Sequence, residues 1–468
     1  MLLRAIADRI CATTFAGLPG AAVATAREGI LDTIGVTLAG ARDDTTAVVT
    51  RAMRRTAAAG PALIFGHSAR LDVLSAALIN GVASHALDFD DCSNTLGGHP
   101  SAPIVPALLA IAEGVSGQDF IAAYAAGVET ETKLARAVNF HHYEKGWHPT
   151  ATLGTFGSAA ACSHLMRLNP EQTATALALA ASMASGIKAN FGSMTKPFHI
   201  GHAARNGLCA ALLAQEGMTA KLDALEHRQG FFAVYNGAGT FHPDRILAEW
   251  AAPYDLADPG IAFKRHPCCG STHPAADAML HLRAAHHLEP GRVARIESWT
   301  HPRRLAHTNR PDPQSGLDGK FSIQYVLARA LMHGIVSLEH FGDDAVREPA
   351  VRALMAKVHS APDPNAKADT DKHFYARVRV TQNGGEAFEH FVDMPLGRDR
   401  HHPLLAGTLE AKFRDCAGLV LRSDCVDDLV AQCARFELVE DVADLVDDIA
   451  AGTIMPAVEV VPSRHAHA

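Results

Sequence analysis

The sequence predicts a mainly α chain: a large all-helical domain plus a smaller α+β domain. Three observations carry that prediction. The chain has 468 residues, more than one hydrophobic core usually serves, so two domains are expected. Apolar residues make up 48% and charged residues 20%, with only 6% aromatic, a soluble globular composition suited to closely packed small-residue helices. Strand-like alternation is confined to a stretch beyond residue 262.

The elements follow in order. MLLRAIADRICATTF carries Arg4, Asp8 and Arg9 inside its apolar run and reads as an amphipathic helix, not a secretory signal. In residues 21–40, Val23, Ala26, Ile30, Ile34 and Leu38 recur at helical spacing and Gly40 can end the helix. Residues 71–88 place Leu74, Leu78, Val82 and His85 on one face. In the segment from 168 to 186, Asn169 suits the N-cap, Pro170 the first turn and Gln172 the third position. The segment ending at Gly217 closes the same way. Near residue 262 the pattern changes. VARIESWTH (293–301) predicts a strand, and ARVRVTQNGGEAFEHFVD predicts a hairpin turning at Asn383-Gly384. KFSIQYVLARALMHG lies between them as a helix, and after PLGRDRHHP the text is helical again. The expected division is residues 1–261 with 398–468 as a discontinuous helical domain, and 262–397 as the α+β domain. The tail VVPSRHAHA reads as disordered.

Composition also excludes several functions. The net charge of −8 offers no bulk positive field for nucleic acid or anionic lipid. An anionic substrate must be gathered by a local cluster of cations. No window reaches the roughly 18 apolar residues of a membrane span, so no membrane association is expected. Nine cysteines without a C-x-x-C pair argue against a disulfide framework and for the cytoplasm. Phosphate-binding glycine loops and the G-x-S-x-G elbow are both missing. His141, His142, His401 and His402 read as solvated surface histidines.

Four segments combine titratable residues with Gly or Pro punctuation. HALDFDDCSNTLGGHPSAP places Asp88, Asp90 and Asp91 close to His99, either as a proton-handling set or as an ordinary helix end and restart. GWHPTATLGTFGSAAA puts His148 at a helix N-terminus, where a neutral imidazole and a nearby anion are favoured; a plain N-terminal loop is the alternative. GSMTKPFHIGHAARNG sets Lys196 at a helix entrance, followed by His199, His202 and Arg205. The helix dipole disfavours a lysine there. A shared anionic ligand would relieve it, and a solvated lysine is the alternative. FKRHPCCGSTHPAADAML crowds Lys264, Arg265, His266, Cys268, Cys269 and His273 together. Adjacent cysteines chelate one ion poorly and no second Cys/His pair has suitable spacing, so neither zinc nor an iron–sulfur cluster is expected.

Taken in order, HALDFDDCSNTLGGHPS, GWHPTATLGTFGSAAA, MTKPFHIGHAARNG, KRHPCCGSTHPAADA and GKFSIQYVLARALMHG resemble the signature stretches of the MmgE/PrpD family. That family includes 2-methylcitrate dehydratase, cis-aconitate decarboxylase and iminodisuccinate epimerase. The resemblance covers nearly the whole chain. It implies a helical domain with an α+β lid, a homodimer, and a site between helical domain and lid that needs no cofactor and no metal. It also implies roles for Asp88, His99, His148, Lys196 and Lys264 in catalysis, with the two lysines binding substrate and Tyr325 as a pocket tyrosine. Cys92 stands where the decarboxylase pattern has threonine, and Cys269 where it has histidine. The loop before His99 is one residue longer.

These departures direct the expectation toward dehydration of a 2-methylcitrate-like polycarboxylate, with epimerisation or cis-aconitate decarboxylation as alternatives and a non-catalytic polycarboxylate binder as a different class. The expected chemistry is abstraction of a proton beside a carboxylate. Enolisation adds charge to that carboxylate, so Lys196 and Lys264 are expected to stabilise it with Arg205 or Arg265 in support. His99 or His148 takes the proton, Asp88 orients a histidine, and Cys92, Cys269 and Tyr325 complete the substrate pocket.

Overall fold

A computed structural model describes residues 1–367 and 373–455. The tail read as disordered lies outside the described residues. The chain forms two compact units, one of Met1–Phe263 with Ala406–Ala468, the other of Lys264–Leu405. The architecture is mainly α with a smaller α+β part. Among the described residues no helix is long and apolar enough to cross a membrane.

The first unit is built from helices α1 (Leu2–Ala12), α2 (Gly20–Gly40), α3 (Asp44–Met53), α4 (Val73–Ala86), α5 (Ser101–Leu109), α6 (Gly117–Val138), α7 (His141–Lys145), α8 (Pro149–Leu165), α9 (Pro170–Met183) and α10 (Thr195–Gln215). Helices from 408 onward complete it. A two-stranded ribbon, β1 (Ala62–Leu63) with β2 (Arg70–Leu71), is an addition to the expected all-helical pattern. Local signals set the helix ends. At α9 the Asn169 side chain accepts from the Gln172 backbone and the Gln172 side chain returns the bond, a full capping box.

Small residues then bring the helices together. A Cβ on Gly81 of α4 would lie 2.8 Å from the Gly201 Cα of α10, and one on Gly201 would lie 2.2 Å from the Leu78 carbonyl. The two backbones therefore touch with no side chain between them. One turn from this contact, the C-terminal end of α4 meets the N-terminal end of α10. In the same way, a Cβ on Gly207 of α10 would lie 2.3 Å from the Ser158 Cβ of α8. Alanine and glycine, which the sequence shows in abundance, set the axes close enough for side chains from three helix ends to converge.

The second unit holds a four-stranded sheet in the order β4-β3-β5-β6. β3 (Val293–Thr300), β5 (Ala376–Gln382) and β6 (Ala387–Val392) run antiparallel, as the alternation predicts, with Ile296 opposite Val380 and Val378 opposite His390. β4 (Val358–Pro362) pairs parallel to β3 and was not foreseen. Val378 and Val380 are buried while Arg379 reaches Glu389 on the outer face at 2.7 Å. The buried face packs with Met279, Leu282, Val326 and Leu327 from helices His273–His286 and Ile323–His333.

Candidate functional site

The last turn of α4 carries His85. The chain then leaves the helix through Asp88, whose φ of 52° is left-handed, a conformation Asp tolerates better than most residues. That turn sends adjacent acidic side chains to different partners. Asp88 accepts from the Lys196 ammonium at 2.7 Å. The anion that relieves Lys196 at the α10 entrance is thus supplied by the protein itself, from 108 residues away in the chain. Asp88, expected to orient a histidine, holds the Lys196 ammonium, and Asp90 faces two imidazoles.

One oxygen of Asp90, Oδ2, stands 2.7 Å from His85 Nδ1 and 3.1 Å from His99 Nδ1. His85 and Asp90 are fully buried, and the His99 side chain is 14% exposed. Burial opposes ionisation of Asp90, but the two imidazoles facing it hold its carboxyl well below the usual range. Burial pushes His85 down to about 3, against the pull of Asp90 and with help from the Lys196 charge. An ionised carboxylate accepting from His85 fixes the proton of that neutral imidazole on Nδ1, and the same oxygen faces His99 Nδ1. The Nε2 of His85 is then a lone-pair acceptor. His85 Nε2 and Asp90 Oδ1 are buried with no hydrogen-bond partner. Buried polar atoms in this state call for a partner, and a polar substrate can supply one.

His148 is the N-cap residue of α8, anchored by its backbone N–H on the Gly186 carbonyl at 3.0 Å. Its Nδ1 lies 3.3 Å from His199 Nδ1, and its ring stands edge-on to Phe191 with centroids 4.7 Å apart. His85 and His148 have ring centroids 5.9 Å apart, and His85 and His99 4.6 Å. Burial drives the His148 pKa well below the ordinary value, and the charges of its neighbours add to this. The site therefore gathers four imidazoles, an ammonium and two carboxylates at the ends of α4, α8 and α10.

Lys412, from the helix Thr408–Ala417, secures the Phe89 between the two acids. It pairs with Asp32 at 2.6 Å and donates to the Phe89 carbonyl at 2.6 Å. His85 and Lys412 did not stand among the expected site residues; Asp90 and His199 stood in the candidate segments without an assigned role. His85 and Asp90 lay in the right segment, and the dense carboxylates of D-F-D-D were the signal.

Cys92 is half-buried and its backbone pairs with Ala262. Arg205 is exposed on α10. In the second unit, Lys264 is buried. Arg265 donates to Asp277 at 2.8 Å, and His266 meets the same oxygen at 3.1 Å. The half-buried Cys269 gives its N–H to the Lys320 carbonyl. Tyr325 lies in the core of that unit, its hydroxyl bonded to the His340 carbonyl and approached by Arg329 Nε at 2.9 Å. His142 is fully buried, not solvated, with its nitrogens on Asn236 and Thr152.

Among the described residues, one group of three His, Cys, Asp or Glu side chains has ligand atoms mutually within 4.8 Å: His85, Asp90 and His99. Their shared Asp90 oxygen accepts from His85 at 2.7 Å and stands 3.1 Å from His99 Nδ1. The Cys268–Cys269 segment forms no such group.

Comparison with known proteins adds identity to this geometry. Residues 4–244 match the MmgE/PrpD N-terminal domain and residues 266–435 the MmgE/PrpD C-terminal domain. The chain is 32% identical to human cis-aconitate decarboxylase, covering 88% of this chain and 87% of that protein. It is 31% identical to the mouse enzyme of the same name over 88% and 86% of the two chains. To cis-aconitate decarboxylase of Aspergillus terreus it is 26% identical over 92% of each. The chain belongs to the MmgE/PrpD family.

Proposed function

We propose that this protein is a cofactor-free lyase acting on a small polycarboxylate, with decarboxylation of cis-aconitate as its reaction. The observation that carries the reading is the carboxylate held between two imidazoles, with buried proton-accepting atoms unsatisfied beside a lysine. Three relatives named as cis-aconitate decarboxylases move the preference from the dehydration that the sequence alone suggested.

Breaking the carbon–carbon bond to one carboxylate releases CO2 and leaves its electron pair on the allylic fragment. That pair spreads into the remaining carboxylates, where added negative charge must be met by a fixed cation. Lys196 supplies it, shared between Asp88 and the substrate. One proton from an imidazole then neutralises the allylic carbanion and gives itaconate. His99 is the donor through Nε2, an imidazolium before the transfer and a neutral ring after it: its Nδ1 is turned to Asp90, and the exposed part of its ring is free to face a ligand. His148 and His85 complete the wall, kept neutral so that they do not trap the substrate as a fixed ion pair.

Dehydration is the second reading, favoured by Cys92 and Cys269 standing where the decarboxylase pattern has threonine and histidine. Proton NMR of the purified protein with cis-aconitate, 2-methylcitrate, citrate and iminodisuccinate separates the readings. Itaconate from cis-aconitate is expected. Loss of water from 2-methylcitrate, or deuterium exchange in iminodisuccinate without net change, would replace decarboxylation with dehydration or epimerisation. Tight binding with no chemistry would make the protein a binder. The family resemblance also implies a homodimer, which sedimentation would test.

A further inference from the structure

Directly behind His99 lies a second buried set of groups that the proposed reaction does not use. Asp91, next to Asp90 but turned the other way, is fully buried. Its carboxyl meets both the hydroxyl and, at 3.3 Å, the backbone N–H of Ser101. The Ser101 hydroxyl is in turn 2.6 Å from the Tyr124 hydroxyl of α6. Gly29 of α2 makes room for this pair, because a Cβ there would lie 2.5 Å from the Tyr124 oxygen and 3.3 Å from the Ser101 oxygen. Ser101 is the first residue of α5 and stands two residues beyond His99. Asp91 and Ser101 thus close the neck of the loop that delivers His99. Within the loop, Ser93 and Gly98 pair, and the His99 N–H reaches Thr150 Oγ1 at 3.1 Å.

We infer that Asp91, Ser101 and Tyr124 form a buried clasp that fixes the backbone behind His99 and so sets where its imidazole stands on Asp90. These three are positioning residues for the proton transfer. The inference rests on the function proposed above. The two neighbouring acids divide the work: Asp90 orients the rings, and Asp91 holds the chain that carries one of them. The clasp is best written with Asp91 protonated. Burial raises its pKa well above the usual carboxylate range, opposed by the Ser101 bonds and reinforced by Asp32 and Asp90. A neutral carboxyl donates to the Ser101 hydroxyl, which donates to Tyr124. Asparagine has the same shape and also supplies one acceptor and a donor, whereas leucine supplies neither.

The test compares Asp91→Asn, Asp91→Leu and Tyr124→Phe by steady-state kinetics on cis-aconitate and by 15N NMR of histidine-labelled protein. Asp91→Leu is expected to lower kcat by about 100-fold with KM little changed, the penalty of a misplaced proton donor. Asp91→Asn is expected to hold kcat within about threefold of the parent, because it keeps the hydrogen bonds. Tyr124→Phe removes one bond at the far end and is expected to cost about fivefold. The His99 signal, identified by its loss in His99→Ala, should move in Asp91→Leu and stay in Asp91→Asn. Asn as damaging as Leu, or a folded Asp91→Leu with parental kcat and an unmoved His99 signal, would overturn the clasp. If Asp91→Leu does not fold, a parental kcat in Tyr124→Phe overturns it equally. Should the parent protein turn over no substrate, the proposed function fails by itself, while the 15N shifts still decide the clasp.

Discussion

Each unit of the molecule sets a buried carboxylate among side-chain nitrogens, yet the two arrangements are finished differently. In the second unit, Asp277 receives Arg265 and His266 on one oxygen and the Leu396 N–H on the other. Every lone pair that matters has a donor. In the first unit, Asp90 receives His85 and His99 on one oxygen, while its other oxygen and His85 Nε2 are buried and bare. A satisfied cluster specifies a fold, whereas an unsatisfied one holds free energy in reserve for a ligand. The same residue chemistry is structural in one place and available for catalysis in the other, and the count of unmet hydrogen bonds separates them.

The largest expected effect breaks the unsatisfied side. His99→Ala is expected to lower kcat by about 10²–10⁴-fold, and Lys196→Ala by about 10²–10³-fold. His99→Ala should leave the melting curve nearly in place, whereas Lys196→Ala, which takes the ammonium away from the buried Asp88 carboxylate, should also lower it and is assayed well below its transition. Parental turnover in either variant would remove that residue from the chemistry.

Breaking the satisfied side should cost stability. Asp277→Ala leaves His266 and Arg265 without their anion. With Arg265 29% exposed, the loss is expected at the low end for a broken buried pair, about 3 kcal/mol in urea denaturation. A denaturation midpoint equal to the parent's would show that this cluster does not support the fold.

A smaller effect comes from a satisfied histidine within the first unit itself. Burial, helped by Lys145 and His141 and opposed by the Asn236 bond, sets His142 down to about 4. The unfolded chain takes up that proton near the ordinary pKa of 6.5, and the folded chain does not. This contribution is therefore whole above pH 6.5 and declines as pH falls toward 4, by on the order of 2 kcal/mol. His142→Gln should flatten the acid limb of stability against pH; an unchanged slope would reject the assignment. The smallest expected effect is none: if Asp90 is an acceptor for two imidazoles and not a metal ligand, dialysis against a strong chelator should leave kcat unaltered.

How much of this was legible in the sequence depends on the range of the interaction. The Asn169–Gln172 capping box and the hairpin around Asn383-Gly384 are written in neighbouring residues, and the sequence reading anticipated them. The resemblance to MmgE/PrpD proteins also directed attention to the segments that hold His99, His148 and Lys196. The pairings within those segments were not legible. Lys196 was read as awaiting a ligand, but Asp88 meets it because Gly81 and Gly201 let α4 and α10 touch. His142 looked solvated beside His141, yet Asn236 and Thr152 enclose it from distant positions. Likewise β4 joins the sheet in parallel, a pairing that depends on the intervening helices and not on its own five residues. Asp88 and Asp90 differ in role only through the left-handed turn between α4 and the loop, which no residue type announces.

The most direct measurement is turnover of cis-aconitate in deuterated buffer, followed by proton NMR, for the parent protein and Asp90→Asn side by side. The account predicts itaconate with one solvent deuterium on its saturated methylene carbon. It further predicts a rate lower by about 10³-fold or more in Asp90→Asn, where the amide no longer fixes the imidazole tautomers, with an unchanged melting temperature. Itaconate formed at the parental rate by Asp90→Asn, or formed without solvent deuterium, would contradict it.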